Sequence, residues 1–454
     1  MAIITDDLTL AGWHLKRLAK GLHAQALRAE ALDTYYRNEA AIPTMSIGAV
    51  REAYKRLMAM SKLNFAELIV EAPRERMNPV GFRTGSDGDN STDQDAWRIW
   101  QANHLDADSA LVHRAQLSMA DSYVIVGGID PETGAPVITP EDPRQVITQQ
   151  DPRRRRKSIA ALKLFRDDDL GYDRAFLYLP GYVIQAARKV DLVDEPVQYD
   201  MDAGWEWVGE PQPLPHQTVP VVRFANRADM FGRSTGEFER HTSMLDRINY
   251  QILARLEIAT LQAFKQRAVK GVPDRDENGV EIDYDNIFKS GPDALWIMPA
   301  AAEMWESGEV NLDGIRLGTK DDVQNLAAVT RTPLFYLNPD MSNGSAEGAS
   351  LAREGLVFKT EDLIASTGES WEQVMSLAIL FAGGTPPPDM QVLWAPAERF
   401  SLAERYDAAS KASGAGVPWR EVMSSVLQFS PQEIDRMEAE RASDLFLNPP
   451  PVNV

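Results

Sequence analysis

The sequence predicts an α+β fold, and three observations carry that reading. Apolar residues recur at helical spacing near the N-terminus and again through most of the chain beyond Gly236. Between Tyr123 and Arg227 the texture changes to short runs rich in Val, Ile, Tyr and Phe, punctuated by Pro and Gly. The chain has 454 residues, 44% of them hydrophobic, which is ample for a large core spread over two or three domains.

The elements follow in order. From Leu8 to Arg37, Leu10, Trp13, Leu15, Leu18, Leu22, Leu27 and Leu32 recur among Lys, Arg and Glu and predict a helix or helix pair; a second helical piece covers Ile47 to Lys62. SDGDNSTDQD, residues 86–95, is polar and acidic, a solvated loop leading into the helix that carries Trp97 and Trp100. The runs YVIVGG, PVITP, RQVITQQ, AALKLF, RAFLYLPGYVIQAARK, PVQYD, GWEWVG and TVPVVRF then predict a mostly antiparallel sheet. Pro180-Gly181 is a turn, since Pro presets φ and Gly tolerates a positive one.

Ser234 can cap a helix start, and a helix is expected from Gly236 to Lys270, with Leu245, Ile248, Ile252, Leu256, Ala259 and Ala263 at a three-to-four-residue stagger. At ~1.5 Å per residue it would be about 50 Å long. Gly271 and Pro273 stop it, and an acidic segment with two short apolar runs, ALWIMPA and AEMW, occupies 274–310. A shorter helical pattern, Val323, Leu326, Ala327 and Val329, ends at Pro333. Residues 338–350 are rich in Gly and Ser and predict a flexible loop. Leu351 to Phe381 is another long helix, cut off by Pro386 to Pro388, and helices over Leu402 to Ser413 and Trp419 to Arg441 finish the chain before a frayed PPPVNV tail.

Charge and composition exclude several function classes. With 47 Lys+Arg against 67 Asp+Glu the net charge is −20, so a protein that grips nucleic acid through many phosphate contacts is disfavoured. Cysteine is absent, which removes disulfides, thiolate nucleophiles and Cys-containing zinc sites together and suits a reducing cytoplasm. The N-terminus has acidic residues where a signal peptide would be basic, and the most apolar stretch, 374–384, is well short of the ~20 residues needed to cross a bilayer, so neither secretion nor a membrane span is expected. No P-loop, H-E-x-x-H or G-x-S-x-G motif occurs. The histidines, at 14, 23, 104, 113, 216 and 241, form no closely spaced ligand pair. No catalytic residue, cofactor site or metal site is expected.

Two local patterns stand out. Asp274, Asp276, Asn278 and Gly279 match positions 1, 3, 5 and 6 of a calcium-binding loop, with Asp285 at position 12. Glu281 falls where a hydrophobe usually sits, position 12 is not Glu, and Pro273 breaks the entering helix, so DENG reads better as a hairpin tip. Arg153, Arg154, Arg155, Arg156 and Lys157 form the only concentrated basic run, between two predicted strands; it fits a solvated loop, a strap to an acidic neighbouring subunit, or a DNA contact.

From Gly232 to Glu361 the order of segments becomes specific: GRS, a long amphipathic helix closing on FKQRAVKGVP, an acidic insertion ending in GPDALWIMP, a helix ending in AAVTRTPLFYL, a Gly/Ser loop, then SAEGASLAREGLVFKTE. This order resembles the portal protein family of tailed double-stranded DNA bacteriophages, in the branch common among phages of actinobacteria, and the resemblance covers nearly the whole chain.

The resemblance implies a homo-oligomeric ring of about twelve subunits, a head-tail connector at one capsid vertex through which double-stranded DNA is packaged and ejected. It implies a wing over residues 1–235 (N-terminal helices plus the β-rich region), a first stem helix over 236–270, a clip over 271–310 and a second stem helix over 311–336. A tunnel loop over 337–350, a long wing helix and connector over 351–400, and a crown with C-terminal tail over 401–454 complete it. The tunnel loop would present Asp340, Ser342, Asn343, Ser345 and Glu347 to DNA; the clip would present Asp274, Asp276, Glu277, Asp283 and Asp285 to terminase or a connector. Implied partners are terminase, head-completion or adaptor proteins, major capsid and scaffolding protein, and DNA passing without sequence preference. The implied setting is the virion, after assembly in the host cytoplasm, with no membrane and no enzymatic activity. An acidic channel wall keeps phosphates from condensing on it. The rival readings are a metal-dependent phosphodiesterase built from the abundant carboxylates and a generic intracellular assembly scaffold, although tight His/Asp clusters and internal repeats are both missing.

Overall fold

The structure, a computed structural model, describes residues 11–42, 52–84, 93–190, 195–263, 267–272, 275, 279, 303–306, 308, 310–337, 346–398, 402–429 and 431–447. It is a mixed helix-and-sheet chain in two compact units, one of residues 1–41, 64–245 and 325–454, the other of residues 42–63 and 246–324.

The larger unit begins with α1 (Ala11–Tyr36), a single helix; α2 (Glu52–Ser61) belongs to the smaller unit. An unpredicted helix, α3 (Phe65–Arg74), starts where Asn64 Oδ1 accepts the Glu67 N–H. An unpredicted strand, β1 (Pro79–Thr84), follows it. Asp93 caps α4 (Gln94–Ala102) by accepting the Ala96 N–H at 2.9 Å, and α5 (Leu105–Met119) leads into the sheet region.

There the strands are β2 (Asp121–Ile129), β3 (Pro136–Glu141), β4 (Val146–Gln150), β5 (Ser158–Asp167), β6 (Tyr172–Leu179), β7 (Tyr182–Lys189), β8 (Glu206–Pro213) and β9 (Val221–Ala225). They form a three-stranded sheet in the order β3-β2-β9 and a five-stranded meander β4-β5-β6-β7-β8, with every pairing antiparallel, as expected. Gly181, at φ +86°, makes the β6–β7 turn beside Pro180. The expected strand PVQYD, 196–200, is not one: no ladder includes it, and the Gln198 N–H goes to the Asp173 side chain instead. Along β6, Asp173, Ala175, Leu177 and Leu179 point inward. The buried Asp173 is tolerated because its cross-strand neighbours Arg166 and Arg188 both donate to it, at 2.6 and 3.0 Å. Leu15, Leu18 and Leu22 of α1 pack with Leu162, Leu164 and Leu177 of the meander.

The helix expected over 236–270 is shorter. After a tight turn at Glu239–His241, α6 runs from Thr242 to Ala263, about 33 Å at ~1.5 Å per residue. Residues 267–270 form a strand, β10 (Arg267–Lys270), paired antiparallel with β11 (Glu303–Glu306). The next helix, α7 (Asp313–Thr330), falls within the span 311–336 and extends well ahead of the Val323–Val329 pattern to include IRLGTKDD, with Asn311 Oδ1 accepting the Asp313 N–H. Within the smaller unit α6 and α7 are tied side by side, since Arg247 donates twice to Asp322 (2.9 and 2.6 Å) and Gln251 donates to the same carboxylate.

A short helix, α8 (Leu334–Leu337), follows Pro333, and α9 (Ala346–Phe381) begins five residues before the expected start, so 346–350 are helical rather than loop. Strand β12 (Met390–Trp394), unpredicted, closes antiparallel onto β1. The helix α10 (Leu402–Gly414) is as expected. The segment predicted as one helix from Trp419 to Arg441 is broken: a turn at Trp419–Glu421 widens over 422–426, and α11 (Pro431–Leu447) starts afresh at a proline. In the main core, Trp371 of α9 meets Trp100 and Phe224 edge-on, each at 4.9 Å between ring centroids.

Candidate functional site

Three short segments that distinguish the sequence, GRSTGE (232–237), TRT (330–332) and FKTE (358–361), lie far apart in the chain and meet in the larger unit around one side chain. Lys359, in the middle of α9, is almost fully enclosed, with its side chain 1% exposed. Its Nζ lies 2.6 Å from Oε2 of Glu237, which is 2% exposed, and donates at 2.9 Å to the carbonyl of Thr330, the last residue of α7.

Each partner is supplied by local geometry. Arg331, at φ +53°, ends α7 in the left-handed region, with the Thr332 N–H on the Ala327 carbonyl and the Arg331 N–H on that of Ala328. A non-glycine residue there costs roughly 1 kcal/mol. The helix C-terminus leaves carbonyls without intrahelical donors and carries a partial negative charge, so the Lys359 ammonium both satisfies the Thr330 carbonyl and complements the dipole. Glu237 accepts also from Arg227 Nε at 2.5 Å and Asn226 Nδ2 at 3.1 Å.

Burial pushes the Glu237 carboxyl up, but Lys359 and Arg227 outweigh it and hold its pKa at about 2. For Lys359 burial wins: together with the charges of Arg227 and Arg331 it lowers the ammonium pKa against the pull of Glu237. One carboxylate thus serves two cations, and it is the group the cluster cannot lose.

A second layer fixes the segment ahead of α6. Asp121 accepts from Arg223 Nε (2.7 Å) and Ser234 Oγ (2.6 Å), and Arg223 Nη1 donates to the Gly232 carbonyl at 3.1 Å. Arg28 of α1 donates to the Ser234 carbonyl and to both oxygens of Glu239, whose Oε2 also accepts the Gly236 N–H at 2.8 Å. Gly236 is pressed onto α5: a Cβ there would stand 2.8 Å from the Ser118 carbonyl oxygen. Farther along α9, Thr367 exchanges hydrogen bonds with Gln116, and Trp371 Nε1 donates at 2.8 Å to Nε2 of His113. Burial pushes the His113 pKa down to about 3.

The arrangement is that of a joint. Charge-assisted hydrogen bonds in an enclosed environment hold the lead-in to α6, the end of α7 and the middle of α9 together, and sliding α9 past Thr330 must break a buried ion pair. Among the described residues no group of three or more His, Asp or Glu side chains could hold a metal ion. Nor, among them, is any helix long and apolar enough to cross a membrane.

The residues singled out from the sequence fall elsewhere. Arg153, Arg154, Arg155, Arg156 and Lys157 form the exposed β4–β5 turn. Glu347 lies in the first turn of α9, whereas Asp340, Ser342, Asn343 and Ser345 lie outside the described residues, as do Asp274, Asp276, Glu277, Asp283 and Asp285. Lys359 was not singled out. Its signal was its spacing: it stands three residues after Leu356 and four before Leu363, on the buried face of α9.

The model of a phage portal protein family, SPP1 Gp6-like, matches residues 15–445. The portal protein of Mycobacterium phage L5 is 28% identical over 441 residues, covering 91% of this chain and 86% of that protein. That of Mycobacterium phage D29 is 28% identical over 415 residues, covering 86% and 81%. These matches give no support to a phosphodiesterase or a generic scaffold.

Proposed function

The chain belongs to the SPP1 Gp6-like phage portal protein family, and from that premise we propose how its parts share the work of a channel at one capsid vertex through which double-stranded DNA is packaged and ejected. Portal proteins are structural components of the virion capsid. In our reading twelve copies close into a ring, assembled in the host cytoplasm. Residues 1–235 are the wing, α6 and α7 the two stem helices, 271–310 the clip, the segment from Leu337 to the start of α9 the tunnel loop, α9 the helix behind it and 401–454 the crown.

The observation that carries this division is the convergence on Lys359. A channel wall under load from a moving duplex needs its stem helices referred to a fixed body, and the Glu237–Lys359–Thr330 joint binds the lead-in to one stem helix and the end of the other to α9. The chain has no P-loop, so the motor is a separate terminase. It docks on the clip through Asp274, Asp276, Glu277, Asp283 and Asp285. Head-completion proteins, major capsid protein and scaffold take other faces of the ring.

Asp340 and Glu347 face the duplex, and with a net charge of −20 per copy the wall repels phosphates instead of trapping them. Asp340→Lys with Glu347→Lys tests the reading. Rings should still assemble, while the yield of fully packaged genomes falls, because two added cations per copy around a ring bind the duplex. Full-length genomes at normal yield would contradict it.

A further inference from the structure

The basic turn that the channel does not use stands beside a groove. Asp151 Oδ1 accepts the Arg153 N–H, the Lys157 N–H returns to the Arg154 carbonyl, and residues 152–157 are all exposed. None of the five cations is ion-paired with a described carboxylate; Arg156 reaches only the Ser366 carbonyl at 3.5 Å and the more distant field of Glu372. Arg154, Arg156 and Lys157 rim a cavity of about 420 Å³ whose floor includes Val219, Leu377 and Leu380. An occupant must therefore be acidic at its edge and apolar at its tip. A DNA backbone supplies the charge and nothing to bury on that floor.

A segment of that chemistry lies at the other end of β5. The β5–β6 turn reads Asp167-Asp168-Asp169-Leu170-Gly171, with Asp168 and Asp169 exposed and Leu170 61% exposed. Asp167 is engaged by Arg174 at 2.6 Å, its carbonyl accepts the Gly171 N–H and its side chain accepts the Leu170 N–H, so the tip is rigid and displays Leu170. β5 has ten residues, which at ~3.3 Å each separates the basic and acidic tips by about 30 Å. Each copy therefore carries one surface of each kind at opposite ends of a single strand, which is the layout of a head-to-tail contact that closes by rotation.

We propose that the acidic β5–β6 tip of one copy seats in the basic groove of the next, Leu170 on the apolar floor and Asp168 and Asp169 against Arg154, Arg156 and Lys157. This contact rests on the ring reading above and supplies local attraction between copies that repel one another overall, at −20 each.

Charge reversal tests it, with particle mass read by sedimentation and folding by thermal melting. Either R154E/R156E/K157E or D168K/D169K alone should raise the concentration needed for ring assembly on the order of tenfold. Combining both sets in one chain, or mixing the two reversed chains in equal amounts, should restore it. The neutral set R154Q/R156Q should show the same loss in smaller measure, which serves if a reversed chain melts early. Wild-type rings matched by both reversed sets, or reversed sets that melt normally yet are not rescued by combination, overturn the contact alone. So does a basic-turn variant that assembles normally and loses only DNA binding. A wild-type chain that stays monomeric overturns the ring reading and the contact with it.

Discussion

Lys359 Nζ lies 2.6 Å from a carboxylate oxygen of Glu237, and neither side chain is more than 2% exposed. The two sides of this pair are not equivalent. Glu237 retains Arg227 if Lys359 is removed, whereas Lys359 has only a carbonyl if Glu237 is removed. Glu237→Gln is therefore expected to cost ~3–5 kcal/mol, the range for stranding a buried charge, and Lys359→Met distinctly less. Chemical denaturation of both variants checks the order; a costlier Lys359→Met would contradict it.

Acid should weaken the larger unit in two stages. The His113 pKa is lowered from 6.5 to about 3, so between those values the unfolded chain takes a proton that the folded one refuses, and stability falls as pH falls. Glu237, held at about 2 against 4.5, adds its own loss only below pH 4.5. His113→Gln keeps an acceptor for Trp371 and should lower the stability slope between pH 6.5 and 4.5 by about 1.4 kcal/mol per unit. An unchanged slope in denaturation midpoints would sink this account.

Gly236→Ala should destabilise by about 1–3 kcal/mol, because the added methyl meets the Ser118 backbone oxygen at 2.8 Å and neither segment can retreat without loosening Glu239 or Arg28. The same substitution at Gly128, where a Cβ meets nothing within 4 Å, is the control. Equal melting temperatures for the two would refute the close-packing argument.

The meander was legible because its strands are neighbours in sequence and alternate by burial, as in β6, with Pro180-Gly181 marking a turn. The β1–β12 pair was not, since Arg83 finds Gln391 only after the intervening chain has folded. Helical periodicity placed α6 and α9 but not their ends, which are set by contacts that spacing does not encode: Gly236 against α5 and the ladder of Lys270 with Glu303. The joint was half legible. Its three segments stood out as motifs, yet a lysine is ordinarily a surface residue, and only its register with Leu356 and Leu363 marks Lys359 as buried.

Ring formation is read from the native mass of the purified wild-type chain together with its negative-stain image. Closed rings with a central hole are expected, near 600 kDa if twelve copies of the 50.5 kDa chain assemble. A monodisperse monomer at high protein concentration and high salt, where repulsion between copies is screened, would contradict it.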